Sequence, residues 1–171
     1  MVEGTQGTTK RSIGEGIGYG LIAGAIFAVV WMLGSVAMGQ PALTPFRLSA
    51  GVFFGAGALE FGTWGAFLGG ALVGLVVSAI FGAIYGLINA RLPLESHVNM
   101  GTQTVLGLVF GAAVWVLMFQ IIARAAWPWL LEPNQLGMFI LHAVFFGLPL
   151  GLMFAAAERR AMPHGAVPQP T

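Results

Sequence analysis

Four long apolar stretches without a charged residue alternate with short polar segments along the chain. They cover about residues 16–39, 61–88, 100–123 and 137–157. Each reaches the roughly 20 residues that an α-helix needs to cross about 30 Å of hydrocarbon at about 1.5 Å per residue. The pattern predicts an all-α, polytopic membrane protein whose four transmembrane helices form two helical hairpins.

The polar segments complete the predicted organisation. Residues 1–12 are rich in Gly and Thr and predict a flexible tail, and residues 161–171 hold three prolines and predict a disordered tail. The four-helix domain then occupies residues 13–160. In the first loop, Thr44 precedes Pro45, an order typical of an N-cap and the first helical position. A short interfacial or re-entrant helix is therefore expected from there to Phe54.

Composition supports a bilayer as the solvent of these helices. Hydrophobic residues make up 57% of the chain and charged residues only 8%, whereas soluble domains carry about 25% charged residues. The net charge of +1 gives no basis for binding nucleic acid. The sequence contains no Cys and no Asp, which excludes disulfides and thiolate metal sites and removes most carboxylate-based metal and hydrolase sites.

Basic residues in the flanks predict which side each end faces. Five of the seven lie in the two terminal segments and the second loop: Lys10, Arg11, Arg91, Arg159 and Arg160. The other two lie in the first and third loops. Because cytoplasmic segments carry an excess of Lys and Arg, both termini are expected on the cytoplasmic side and the first and third loops on the outer side.

Small residues recur at every fourth position of the predicted helices, so they share a helix face. Gly on such a face lets two backbones approach closely, which promotes association where the hydrophobic effect between helices is weak. Contacts within the bundle and contacts with another chain are both open. This small-residue row comprises Gly16, Gly20, Gly24, Gly70, Gly74, Ser78, Gly82, Gly86, Gly107, Gly111, Gly147 and Gly151.

The two predicted hairpins also resemble each other in sequence. A Gly-Leu-x-x-Gly-Ala motif begins at Gly20 in the first span and at Gly107 in the third. A Gly-x-x-x-Gly-Leu motif begins at Gly82 in the second span and at Gly147 in the fourth. Duplication of one hairpin in the same orientation would produce this pattern, and so would chance matches between glycine-rich helices.

A cluster of polar residues is predicted at the outer ends of the helices. Gln120 and Arg124 share a helix face, and Arg124 stands where the third span leaves hydrocarbon. We expect Arg124 to pair with Glu60 or Glu132, and His142 to lie within hydrogen-bonding distance of this group. A salt-bridged cap and a shallow ligand site are both compatible with this arrangement. The predicted polar cluster comprises Arg47, Glu60, Gln120, Arg124, Glu132 and His142.

His142 is an ionisable residue inside the predicted fourth span, and such residues are candidates for function. It could hold a cofactor, or it could be a neutral histidine bonded to a nearby polar group. Without a second intramembrane His or a Cys, no metal site and no cofactor is predicted. At about 100° per residue, His142 faces away from Gly147 and Gly151. No span has a carboxylate near its middle, which disfavours an ion path through one copy.

Four short motifs carry a resemblance to a known family. They are Gly-Leu-Ile-Ala-Gly at 20–24, Ser-Ala-Ile-Phe at 78–81, Gly-Leu-Val-Phe-Gly at 107–111 and Leu-His-Ala-Val-Phe-Phe at 141–146. With these motifs, the sequence resembles the YagU-like class of small bacterial inner-membrane proteins over most of residues 16–157. The resemblance implies four spans and a bacterial plasma membrane. It implies no activity and no site residues.

Three functions are compatible with these features. The small-residue faces and the missing chemistry favour a non-catalytic accessory or structural subunit of a larger membrane complex, or a homo-oligomer packed through its glycines. One alternative is an oligomeric transporter or channel whose mouth is the polar cluster. Another is a protein that binds an apolar ligand or a quinone through His142. An enzyme is least favoured. Expected partners are the bilayer and other membrane subunits or further copies of this chain.

Overall fold

The computed structural model describes residues 3–93, 96 and 99–161, and this part of the chain is almost entirely helical. Four of its helices are long and apolar enough to cross a membrane, which confirms the predicted all-α fold with four spans. The helices are α1 (Glu3–Ala37), α2 (Thr44–Phe54), α3 (Thr63–Asn89), α4 (Met100–Ala126) and α5 (Gln135–Arg160).

Helix α1 extends further than the sequence predicts. It begins at Glu3, so residues 3–12 are helical in the segment where the sequence predicts a flexible tail. At the end of this segment Ser12 is buried, and its backbone lies against Gly86 of α3. The predicted C-terminal tail lies, from residue 162 onward, outside the described residues.

Glycines bring α1 and α3 into backbone contact in the first hairpin. A methyl group at Gly82 would overlap the carbonyl oxygen of Gly16 and the Cα of Gly20. In the other direction, a methyl group at Gly20 would overlap the carbonyl oxygen of Ser78. No side chain could occupy this interface without separating the helices, so the small residues are required for the close approach.

The second hairpin is joined by equivalent contacts between α4 and α5. A methyl group at Gly147 would overlap the carbonyl oxygen of Gly107 and the backbone of Gly111. Gly107 and Gly111 therefore occupy the positions in the second hairpin that Gly16 and Gly20 occupy in the first. The motif match in the sequence pairs Gly20 with Gly107, so that alignment of the first and third spans is wrong by one helical turn. The contacts align Gly-Ile-Gly-Tyr-Gly at 16–20 with Gly-Leu-Val-Phe-Gly at 107–111.

Helix α2 is inserted beside α3 at the end of the bundle opposite the termini, which we call the α2 end. Its N-cap is Leu43, one residue before the predicted Thr44, and Pro45 occupies the first turn. A methyl group at Gly70 would overlap the backbone of Phe46. Because Gly70 lies seven residues into α3, about 10 Å along its axis, α2 contacts α3 well inside the end of that helix.

A buried polar network joins the two hairpins near the other end. The hydroxyl of Tyr85 donates to Oε1 of Gln103 at 2.8 Å, and Nε2 of Gln103 donates to Oδ1 of Asn89 at 2.6 Å. Nε2 of Gln103 also donates to the carbonyl oxygen of Ser96 at 3.2 Å. Because each group in this apolar core has a partner, the network fixes α4 against α3 at a small desolvation cost.

Candidate functional site

The candidate site is built around His142, which lies seven residues inside α5, about 10 Å from its first residue. Its side chain is only 8% exposed. Nδ1 lies 2.7 Å from the carbonyl oxygen of Met138, one turn earlier. Because a carbonyl oxygen can only accept, Nδ1 carries a proton and donates it to this bond. Among the described residues this carbonyl is the hydrogen-bond partner of His142, and Oε1 of Gln120, which was expected near it, accepts from Arg124 instead.

Two phenylalanines hold the imidazole ring from different helices. The ring centroid of Phe27 in α1 lies 4.7 Å from that of His142, at an interplanar angle of 68°. The centroid of Phe119 in α4 lies 5.2 Å away, at 72°. Both contacts are edge-to-face, a geometry that stabilises pairs of aromatic rings. His142 is thus fixed by apolar neighbours on two sides and by a hydrogen bond on a third.

Wide π-helical turns place Phe119 and His142 at these positions. One runs over Val116–Ile122 of α4 and the other over Leu141–Gly147 of α5. Such turns are rare and occur often at functional sites. They also change the direction in which successive side chains point. The regular step of about 100° per residue therefore does not apply in α5 between His142 and Gly147. As a result the backbone carbonyl of His142 contacts Gly111, while its ring lies among side chains inside the bundle.

An apolar cavity of about 380 Å³ lies beside this histidine. Residues 21–31 of α1, residues 45–52 of α2 and residues 67–81 of α3 form its walls, and the second hairpin closes its inner side. The cavity begins beyond the Gly24–Ser78 contact of α1 and α3, at the end of the bundle where α2 is inserted. Val29 and Leu75 line it and are more than half exposed, so it opens on the outer surface of the bundle.

The polar groups that line the cavity are few. They are the hydroxyls of Ser49 and Ser78, the indole N–H of Trp31 and the imidazole of His142. In the part of the chain that the structure describes, no hydrogen bond involves Nε2 of His142. Ligand sites are commonly apolar, with a small number of polar groups that orient the ligand. This combination makes the cavity the candidate ligand site of the protein.

The structure does not assemble the predicted polar cluster into an ion-paired group. Arg124 is exposed, and its guanidinium donates to Oε1 of Gln120 at 2.7 and 3.2 Å. Arg47 donates to the carbonyl oxygen of Phe61 at 3.1 Å. Among residues 3–93, 96 and 99–161, no ion pair joins Arg124 to Glu60 or Glu132, so that prediction is wrong. The physical reason is that Gln120, one turn away, satisfies an arginine that remains accessible to solvent or headgroups.

The small-residue row serves three different purposes along α3. Gly82 and Gly86 contact α1, and Gly70 contacts α2. Gly74 lies between these contacts, and its predicted place on a helix-packing face is wrong. A methyl group there would meet nothing within 4 Å, and the residue lines the cavity. The remaining members contact another helix of the same chain, either across the first hairpin or across the second: Gly16, Gly20, Gly24, Ser78, Gly107, Gly111, Gly147 and Gly151.

Sequence reasoning missed the cavity and the residues that define it. Phe27 and Phe119 look like ordinary apolar residues of their spans, and their contact with His142 depends on how three helices pack. The sequence did contain a signal. The small-residue row in α3 is longer than contact with a single helix requires, and the first loop contains the Thr-Pro pair with which α2 begins. Together these features indicate that α3 has two neighbours along its length, with Gly74 between them.

Comparison with protein-family models, with curated proteins and with solved structures gives no match to this chain. The resemblance to the YagU-like class therefore stays a prediction.

Proposed function

We propose that this multi-pass membrane protein binds an apolar molecule that enters the cavity from the bilayer. The observation that carries the proposal is an apolar cavity of about 380 Å³ that opens beside α1 and α3 and ends at a buried histidine. Its volume falls within the roughly 300–1,000 Å³ of ligand pockets. Exposed Val29 and Leu75 at its opening give a lipid-dissolved molecule access without passage through water.

Specific contacts hold the helices apart around the cavity. This favours a binding site rather than a defect in packing. Protein interiors are close-packed, and unfilled space costs stability roughly in proportion to its volume. Here the space is maintained by specific features: Gly70 admits the backbone of α2, and Gly51 admits the indole of Trp129 against α2. In the second hairpin, Gly107 and Gly111 bring the backbones of α4 and α5 into contact.

The contacts of the small-residue row weaken the accessory-subunit hypothesis. That hypothesis depends on glycine faces left over for a second chain, yet all members except Gly74 contact another helix of this chain. Likewise, the transporter hypothesis depends on a clustered polar mouth, and Arg47 and Arg124 bond to separate partners. Cytoplasmic termini remain part of this proposal, supported by the distribution of basic residues. A bacterial plasma membrane also remains part of it, supported by the resemblance to the YagU-like class.

The test uses Gly74→Leu in purified protein reconstituted in lipid nanodiscs. A Cβ at this position would meet no atom within 4 Å, so leucine can be introduced there and would add bulk at the wall of the cavity. Gly34→Leu is the matched control, because Gly34 also has open space around it and does not line the cavity. The probe is dodecanol carrying a photoreactive diazirine, with crosslinked peptides identified by mass spectrometry.

We expect saturable crosslinking to α1 and α3 around the cavity in the parent and in Gly34→Leu, and at least a tenfold loss in Gly74→Leu. Unlabelled dodecanol or dodecyl methyl ether should compete for the site. Equal crosslinking of all three proteins, or labelling that rises linearly with probe and is not competed, would indicate general contact with lipid and would refute the proposed function.

A further inference from the structure

We propose that the cavity selects a ligand with a neutral hydroxyl group, which donates a hydrogen bond to Nε2 of His142. This inference rests on the proposed function and specifies the class of molecule: an aliphatic alcohol or a phenol on an apolar body. Its basis is the geometry of one side chain. The imidazole uses Nδ1 within its own helix and presents its other nitrogen to the cavity.

The bond to Met138 determines what the histidine can offer a ligand. In a neutral imidazole only one ring nitrogen carries hydrogen, and here that nitrogen is Nδ1 because its partner is a carbonyl oxygen at 2.7 Å. Nε2 is then a bare acceptor at the far end of the ring. A doubly protonated ring would place an uncompensated charge in an apolar site, since no carboxylate of the described residues bonds to it, and this is costly within a membrane.

The ring is also restrained from exchanging its two nitrogens. Rotation by about 180° about the Cβ–Cγ bond would break the hydrogen bond to Met138. Edge contacts with Phe27 and Phe119 restrict the same rotation. The other polar groups lining the cavity are the hydroxyls of Ser49 and Ser78, which can both donate and accept, and the indole N–H of Trp31, which can only donate. Within the described part, His142 is therefore the lining group that offers an acceptor and no free donor.

This polarity excludes some ligands and favours others. A ketone, an ether or an oxidised quinone offers only acceptor oxygens, which cannot pair with Nε2. A carboxylate would bring a charge without a partner into the cavity. An alcohol, a phenol or the reduced, dihydroxy form of a quinone supplies the missing hydrogen. A quinone-type ligand should therefore bind in its reduced form in preference to its oxidised form.

The experiment measures competition against the photoreactive dodecanol probe in nanodiscs, with competitor concentrations expressed per lipid to remove differences in partitioning. Two matched pairs are compared: dodecanol with dodecyl methyl ether, and 4-nonylphenol with its methyl ether. We expect each hydroxyl compound to compete at a roughly 3- to 10-fold lower concentration than its ether in the parent, as one net hydrogen bond implies. The aliphatic and aromatic pairs show which source of hydroxyl the cavity prefers.

Variants locate the effect at the proposed atom. In His142→Phe, which keeps an aromatic ring and removes the acceptor, the preference for hydroxyl over ether should disappear while the ethers compete as in the parent. Ser49→Ala should retain the preference, because this serine is not the selective group. Should the Phe variant fail to fold, the comparison of each pair on the parent protein still decides the question.

Each outcome is decisive for one of the two proposals. Equal competition by hydroxyl and ether on the parent, or a preference that persists in His142→Phe, would overturn the hydroxyl selection and leave the proposed function standing. Absence of competition by all four compounds would overturn the proposed function itself.

Discussion

Gly82→Ala tests how closely the helices of the first hairpin approach each other. The added methyl carbon would lie 2.8 Å from Cα of Gly20 and would overlap the carbonyl oxygen of Gly16. Carbon atoms in favourable contact are about 3.5–4.0 Å apart, so the helices must separate by about 0.7 Å or more. Backbone atoms cannot move aside as a flexible side chain can, and the separation therefore spreads along the interface.

The magnitude follows from two opposing effects. A gap of about 0.5–1 Å forfeits a quarter to a half of the dispersion attraction of the atoms involved, and an extra methylene in a packed core costs about 1–3 kcal/mol. Replacing Gly by Ala in a helix recovers up to about 1 kcal/mol. Gly82→Ala should therefore lower the free energy of unfolding by about 1–2 kcal/mol. Gly74→Ala, with open space around it, should leave it unchanged or raise it by up to about 1 kcal/mol.

The assay is thermal unfolding of both variants in one detergent, followed by tryptophan fluorescence and by loss of the monomer peak in size exclusion. A difference of about 2 kcal/mol corresponds to roughly 4–8 °C for a chain of this size. Gly74→Ala is the matched control, since it makes the same chemical change in the same helix. Coincident melting curves, or a higher midpoint for Gly82→Ala, would show that α1 and α3 are not in backbone contact there.

Three further predictions concern other parts of the molecule. Arg124→Ala should change the free energy of unfolding by less than about 0.5 kcal/mol, because its hydrogen bonds are exposed; a midpoint lowered by more than 4 °C would mean a buried partner. Gln103→Leu should cost about 1–3 kcal/mol by leaving buried polar groups unpaired, and adding Tyr85→Phe should cost less than the sum of the two single changes; strict additivity would contradict the network. Since the chain has no native Cys, a single Cys at Gln40 should react with an impermeant thiol reagent on intact cells and one at Ser96 should not; the reverse pattern would invert the proposed orientation.

Much of the fold can be predicted from the order of apolar and polar residues, because a helix must be apolar over its whole length to cross a bilayer. A stretch of about 20 apolar residues without charge has few alternatives to a spanning helix, and all four predicted spans are long apolar helices. The boundaries are less predictable, since they depend on local contacts. The backbone of Ser12 lies against Gly86 of α3, and no property of residues 1–12 alone indicates this contact.

The candidate site is less predictable because it depends on departures from regular geometry. The predicted direction of the His142 side chain assumes a regular α-helix. The π-helical turn at Leu141–Gly147 departs from that geometry, so the side chain points elsewhere. The expected pairing of Arg124 with a glutamate considered charge alone, whereas a glutamine one turn away meets the same need. Gly74 has the same spacing as its neighbours, and only the position of α2 makes it part of a cavity.

The equivalent glycine contacts of the two hairpins have a consequence for how such a protein could arise. A unit of two spans returns the chain to the side from which it started, so a second copy inserts with the same orientation as the first. The two hairpins differ in the connection between their helices. The second uses a short turn at Pro128–Leu131, and the first inserts α2. The second hairpin thereby supplies the wall that carries His142, and the first supplies the space beside it, so that neither hairpin alone contains the whole site.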